Sequence, residues 1–156
     1  MSEVIAVVGS RRGADLRHVE RFVRELYEKF PDYTLVSGGN HSAEDSVDFF
    51  AEQLWLGLGG HVISFRPKKV RDEHYIIERW EGREGRFHAV TDLIHEPSWR
   101  DFRSAAIFRN MLICEIATRV VCFYAPGRSP GTMFTAQVAR EAEEIPVYEF
   151  ERKLGE

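Results

Sequence analysis

Apolar and polar positions along the chain alternate between two rhythms. Val4 to Val8 is a continuous apolar run rich in β-branched residues, the mark of a strand buried on both faces, and it stops at Gly9-Ser10-Arg11-Arg12-Gly13. From Asp15 the residues Leu16, Val19, Val23, Leu26, Tyr27 and Phe30 recur at three and four, a single helical stripe that Pro31 ends. Tyr33 to Val36 predicts a second short strand closing on Ser37-Gly38-Gly39. Ala43, Val47, Phe50, Ala51, Leu54 and Leu58 then resume the helical period. His61 to Phe65 reads as a third strand, preceded by Gly57, Gly59 and Gly60, which close the helix before it.

Between Pro67 and Pro97 the rhythm breaks. Tyr75 to Trp80 and Phe87 to Val90 flank Glu81-Gly82-Arg83-Glu84-Gly85, as two strands around a turn would, so a β-hairpin insertion over 67–97 is expected. A long surface loop is the alternative. Ser98, read as an N-cap, opens a helix carrying Phe102, Ala106, Ile113, Cys114 and Ala117. Val120 to Tyr124 follows as a buried strand, Thr132 to Glu143 as the last helix and Val147 to Phe150 as the last strand. The pattern of about five strands alternating with helices predicts the α/β class. It implies a Rossmann-like doubly wound parallel sheet with helices on both faces, because parallel neighbours need crossover helices of one hand. The length of 156 residues fits one such domain over 1–156.

Composition narrows the function classes. Hydrophobic residues at 44% and charged residues at 29% describe a packed globular chain. A net charge of -4 argues against a general nucleic-acid footprint, although Arg11, Arg12, Arg109 and Arg128 could gather positive charge locally. Cys114 and Cys122 lack metal-type spacing and read as small core residues of a reducing compartment. His41 and His61 stand alone, so no metal site is expected. No stretch has the layout of a signal peptide or the length of a membrane span, which predicts a cytoplasmic protein with no membrane partner.

In an open sheet of this kind ligands bind beyond the carboxyl ends of the strands, where three glycine-bearing loops are expected to meet. In the first, Gly9 allows close backbone approach, Ser10 brings a hydroxyl and Arg11 a charge, and the next helix offers unpaired N–H groups at its positive end. The loop has neither the Gly-Lys-Ser/Thr of a Walker motif nor G-x-G-x-x-G spacing, and a plain turn with solvated arginines is the competing reading. The second loop, Ser37-Gly38-Gly39-Asn40-His41-Ser42-Ala43-Glu44-Asp45, with two glycines at a strand end and polar groups just before a helix, reads as a site rather than a plain turn, with Ser37, Gly38, Gly39 and Asn40 as ligand residues. Ser42 or Asn40 as a simple helix cap is the alternative, and Asp45 either supports the dipole or holds a ribose hydroxyl. The third places Gly131 and Thr132 at the start of the last helix, a further anion nest. Arg109, with Asn110, lies on the preceding helix among apolar neighbours, where an arginine must reach solvent or meet an anion. Trp80, Phe87 and Trp99 suit either packing contacts or stacking surfaces for bases.

With Val8-Gly9-Ser10-Arg11, Val36-Ser37-Gly38-Gly39, Arg109-Asn110-Met111 and Ser129-Pro130-Gly131-Thr132 in this order, the chain resembles the SLOG superfamily. That Rossmann-like group joins the DNA processing protein A (Smf) family and the Lonely Guy phosphoribohydrolases, and the likeness is greatest to its small stand-alone bacterial and phage branch. The resemblance implies a nucleotide or ADP-ribose-like ligand held by its phosphate or ribose in a sensor or binding module, and a homodimer or larger assembly. Lonely Guy enzymes carry Pro-Gly-Gly-x-Gly-Thr-x-x-Glu, whose glutamate and a separate arginine serve cleavage of an N-glycosidic bond. Here Thr135 stands where that glutamate belongs, and a hydroxyl cannot replace a carboxylate base at neutral pH. No catalytic residue is therefore assigned. The alternatives are a phosphoribohydrolase-like enzyme using Glu115 or Glu44 instead, and a single-stranded DNA binder of the DNA processing protein kind.

Overall fold

Along β1 (Val4–Gly9) successive side chains point to opposite faces of the sheet, and both faces are covered. Ile5 and Val7 enter one core, Ala6 and Val8 the other. The computed structural model describes residues 3–39, 46–71, 74–90 and 95–153. Its remaining elements are α1 (Leu16–Lys29), β2 (Thr34–Ser37), α2 (Val47–Gly57), β3 (His61–Arg71), β4 (His74–Gly82), β5 (His88–Ala89), β6 (His95–Trp99), α3 (Phe102–Ile116), β7 (Arg119–Tyr124), α4 (Pro130–Glu141) and β8 (Val147–Glu151). Helices α1 and α2 cover the first core through Val19, Val23, Ala51 and Trp55. Helices α3 and α4 cover the second through Ile113, Cys114, Ala136 and Ala139.

The sheet runs β5-β4-β3-β2-β1-β7-β8, with β6 also paired to β4. Strands β3, β2, β1, β7 and β8 are all parallel, so the expected Rossmann-like core of five parallel strands with helices on both faces is present. Strand order reverses at β1: the chain steps outward to β2 and β3 on one side, then returns to lay β7 and β8 on the other. Ligands of doubly wound sheets bind at such a reversal.

The departures from expectation have local causes. β3 does not stop at Phe65 but runs on to Arg71 and pairs antiparallel with β4 over a long register, Val62 opposite Gly82 through to Arg71 opposite His74. Tyr75 to Trp80 does form a hairpin with the segment after Gly85, through Trp80–Ala89 and Glu81–His88, but its longer partner is β3. Pro67 is tolerated because β2 pairs only as far as Ser64, so that among the described residues no strand pairs with that edge of β3 beyond it. Ser98 is not a helix cap. It lies in β6, and α3 starts after Asp101, whose carboxylate accepts from Ser104 N–H at 2.7 Å. α4 begins two residues earlier than expected, with Ser129 at the N-cap and Pro130 in the first turn, where its missing N–H costs nothing.

The buried stripe of α2 is also rotated from the sequence reading. Val47, Ala51, Glu52, Trp55 and Leu56 are buried, while Phe50, Leu54 and Leu58 are only partly so. A carboxylate therefore sits in the interior face of this helix. The anticipated packing of the lone His61 is simple: its Nδ1 lies 2.8 Å from Thr34 Oγ1.

Gly9 is fixed by contact rather than by conformation. A Cβ there would stand 2.3 Å from Phe123 O and 2.7 Å from Val47 Cβ, closer than any relaxed packing allows. Gly9→Ala is expected to destabilise the protein by about 3 kcal/mol, the upper range for overpacking a core, read as a lower urea midpoint with an unchanged slope.

Candidate functional site

The end of β1 is tied to everything around it. Ser10 N–H donates to Phe123 O at 3.1 Å, and Ser10 O accepts from Val47 N–H at 3.2 Å. Ser10 Oγ accepts from Ala125 N–H at 2.8 Å. Gly9 N–H donates to Asp48 Oδ1 at 3.1 Å. Ser10 is thus buried and occupied as a joint between loops, rather than presented to solvent as a ligand donor.

The second glycine loop is held in the same manner. Ser37 is fully buried; its hydroxyl donates to Glu52 Oε1 at 3.0 Å and accepts from Gly39 N–H at 2.9 Å. Glu52 also accepts from Arg66 Nη2 at 2.6 Å, and Arg66 Nε donates to Ser64 Oγ at 3.1 Å. The Arg66 guanidinium lies over the Trp80 and Phe87 rings at 4.9 and 5.3 Å. A buried ion pair stays charged only when its remaining hydrogen-bonding capacity is met, and here Ser37, Gln53 and Ser64 supply it. Trp80 and Phe87 are accordingly packing groups, and the Trp99 ring lies 4.8 Å from that of Phe108, tilted by 33°. Gly39 has φ +54, and a Cβ on it would strike Ser64 and Arg66. Asn40 and Asp45, together with His41, Ser42 and Glu44, lie outside the described residues.

A cavity of about 440 Å³ opens at the strand reversal, between the end of β1, the middle of α3 and the start of α4. Gly9, Arg11, Arg109, Asn110, Gly131 and Thr132 all line it, bringing six of the sequence-selected residues to one place. Ser10, Ser37, Gly38 and Gly39 do not line it. Gly38 instead joins the site indirectly, because Arg109 Nη1 donates to its carbonyl at 2.9 Å and Arg109 occupies the space a Cβ would need. Arg109 Nε donates to Asn110 Oδ1 at 2.8 Å.

The start of α4 has no side-chain cap. The hydroxyl of its N-cap, Ser129, donates to Thr132 Oγ1 at 2.9 Å instead. First-turn N–H groups of a helix have no intrahelical acceptors and carry the positive end of the helix dipole. A side chain added to Gly131 would meet open space. Arg128, by contrast, is committed elsewhere: its guanidinium contacts Glu149 and Glu151 and lies over the Tyr124 ring. Thr135, the residue in the position of the missing glutamate, is buried and donates to Gly131 O at 3.1 Å. Glu115 is exposed on α3 and is not part of the cavity wall.

The carboxylate that does line the cavity is Asp48, which the sequence reading passed over. Burial pushes its carboxyl up from the ordinary 3.8 to about 6, against the pull of Arg109 and of the Gly9 and Gly38 amides. Arg109 is shifted the other way: burial lowers it, Asp48 raises it and Arg11 lowers it. The signal available in sequence was a carboxylate pair, Asp48 and Glu52, one turn apart on the inward side of α2. Between pH 4 and 6 the folded protein holds a proton on Asp48 that the unfolded chain has already lost, so this contribution to stability is present at low pH and disappears as pH rises through 6. Asp48→Asn, which does not titrate, is expected to match the wild type near pH 4 and to exceed it in stability above pH 6, measured by denaturant midpoints across that range.

No family model matches the sequence, and no curated protein does. Solved structures do. The DNA processing protein A of Helicobacter pylori, described for its unique single-stranded DNA binding mode, superposes with a TM-score of 0.63 at 19% identity over 99% of this chain and 67% of its own. DNA processing protein A of Streptococcus pneumoniae superposes with a TM-score of 0.68 at 21% identity over 99% of this chain and 52% of its own. The chain thus spans about half of the Streptococcus pneumoniae structure that it matches. At this level of identity the likeness is one of architecture: the chain has the Rossmann-like fold of DNA processing protein A.

Proposed function

We propose that this chain is a cytoplasmic binding or sensing module for a phosphate-bearing nucleotide or an ADP-ribose-like molecule, held in the cavity at the strand reversal. The observation that carries the reading is the convergence of three anion-seeking features on one cavity: the start of α4 without a side-chain cap, Arg11 and Arg109. The cavity volume lies within the range of small-molecule sites. Hydrolysis of the ligand has less support, because Thr135, which lines the cavity where the family glutamate belongs, has no carboxylate and gives its hydroxyl to Gly131 O, and Glu115 lies away from the cavity. The exposed apolar side chains Met111 and Met133, outside the cavity wall, support pairing of two copies through α3 and α4. Among the described residues no helix is long and apolar enough to cross a membrane.

Titration calorimetry against nucleoside mono-, di- and triphosphates and ADP-ribose tests the reading. Saturable heat with at least one of them is expected. Arg11 is exposed and lines the cavity, so Arg11→Ala should fold normally and weaken binding roughly tenfold, the loss of one charge-assisted hydrogen bond. No heat with any compound overturns the reading.

A second reading, single-stranded DNA binding, is favoured by the structural likeness to the Helicobacter pylori protein. Against it stand the net charge of -4 and the use of Trp80 and Phe87 to cover Arg66. The two readings separate on salt: a single-strand binder loses affinity for an oligonucleotide with a slope of about 0.7 per phosphate contacted. A mononucleotide site should show a shallow slope and no gain in affinity as the strand lengthens.

A further inference from the structure

We infer that Asp48 is the ribose-reading residue of this cavity: its carboxylate accepts hydrogen bonds from the sugar hydroxyls of a ligand whose phosphate lies at the start of α4, so that ribonucleotides are taken in preference to deoxyribonucleotides. The inference rests on the phosphate-binding reading above and adds to it a class of ligand and the side chain that selects it.

The argument starts from the mixture of charges. A site for a bare anion gains nothing from an ionised carboxylate, which accepts hydrogen bonds and cannot donate them. Asp48 nevertheless lines the same cavity as Arg11, Arg109 and the first turn of α4. A ligand that suits both groups must carry an anionic end and, close to it, hydrogen-bond donors. Phosphorylated ribose has this layout, with hydroxyls on the ring that bears the phosphate.

Among the described residues the donors to Asp48 are the backbone amides of Gly9 and Gly38, and no side chain donates to it. Gly9 N–H donates to Oδ1. Arg109 is near enough to attract the carboxylate, but its Nη1 and Nε are hydrogen-bonded to Gly38 O and Asn110 Oδ1. The contrast with Glu52 is instructive. That carboxylate lies deeper, yet Ser37, Gln53 and Arg66 all donate to it. One buried acid on α2 is saturated by the fold, and its neighbour one turn earlier faces a cavity.

Position supports the same assignment. Asp48 stands in the first turn of the helix that follows β2, and β2 is the neighbour of β1 on the side away from β7. In dinucleotide-binding sheets an acidic residue about 20 residues beyond the first glycine loop holds a ribose hydroxyl; Asp48 lies further along the chain but opens on the same crevice at the strand ends. The apolar part of the wall, Phe102, Ile107 and Phe134, comes from α3 and α4 on the opposite face of the sheet, leaving that side for a base.

The test uses the full chain in calorimetric titrations with ribose 5-phosphate, 2-deoxyribose 5-phosphate, inorganic phosphate, and matched ribo- and deoxyribonucleoside monophosphates. The wild type is expected to bind the ribo form about tenfold more tightly than the deoxy form, the worth of a hydrogen bond to a charged acceptor. Asp48→Ala should bring that ratio to near one, and Asp48→Asn, which keeps the shape and one acceptor oxygen, should give an intermediate ratio. Equal binding of ribo and deoxy forms by the wild type overturns the inference and leaves phosphate binding standing. A ribose preference that survives in Asp48→Ala, or that vanishes when the base is removed, overturns it also. Failure of every phosphorylated compound to bind removes the phosphate-binding reading and the inference with it.

Discussion

Two residues at the end of the central strand hold this structure together. Gly9 and Ser10 make four hydrogen bonds, to Phe123, Ala125, Val47 and Asp48, and these partners belong to β7, the loop after it, and the first turn of α2. Gly9 has no side chain because the Phe123 carbonyl and Val47 occupy that space. Through this corner the two layers of helices are fixed relative to one another across the sheet. Three parts of the cavity wall start from it: α2 carries Asp48 to one side, the β7 loop leads to α4 on the other, and Arg11 follows directly in the chain, while α3 closes the remainder.

Around that corner the fold treats buried charge in two different ways. Glu52 and Arg66 form a complete network, with hydroxyls from Ser37 and Ser64 and aromatic rings over the guanidinium. Removing one partner from such a pair strands the other charge in a medium of low dielectric, which is why pairs of this kind act as fixed joints. Asp48 and Arg109 are incomplete by comparison. Arg109 is used as a strut under Gly38, and Asp48 is left with its acidity displaced towards neutrality. A group in that state responds to whatever enters the cavity, and perturbed acids of this sort gather at functional sites.

Much of this was legible in the sequence, and the limits of legibility are physical. The parallel strands announced themselves because burial on both faces demands unbroken apolar runs, as in Val4 to Val8 and Val120 to Tyr124. The glycines before the helices marked the strand ends, and six residues chosen there line one cavity. What stayed hidden were polar residues doing interior work. Periodicity counts apolar positions, so it finds Val47 and Ala51 on the inward face of α2 but also points to Phe50, Leu54 and Leu58, and it gives no weight to the buried Glu52 or to Asp48. Ser10 and Ser37 looked like ligand donors, when their hydroxyls serve the backbone and a buried acid. The strand β6 was missed because Pro97 argues against a strand, and it pairs with β4 rather than standing within the parallel core.

The reversal of strand order at β1 also sets an order of assembly. β1, β2 and β3 come from consecutive units, but β1 meets β7 only across a separation of 114 residues, as between Val4 and Thr118. Closing so long a loop is an entropic cost met late, and contacts of this span slow folding. As the chain emerges from a ribosome, the first half of the sheet can form while one side of its middle strand stands bare, with Ile5 to Val8 ready to pair with another copy. Pairing of β7 covers that bare edge, and the cavity at the strand reversal takes shape only once α4, which follows β7, has packed as well.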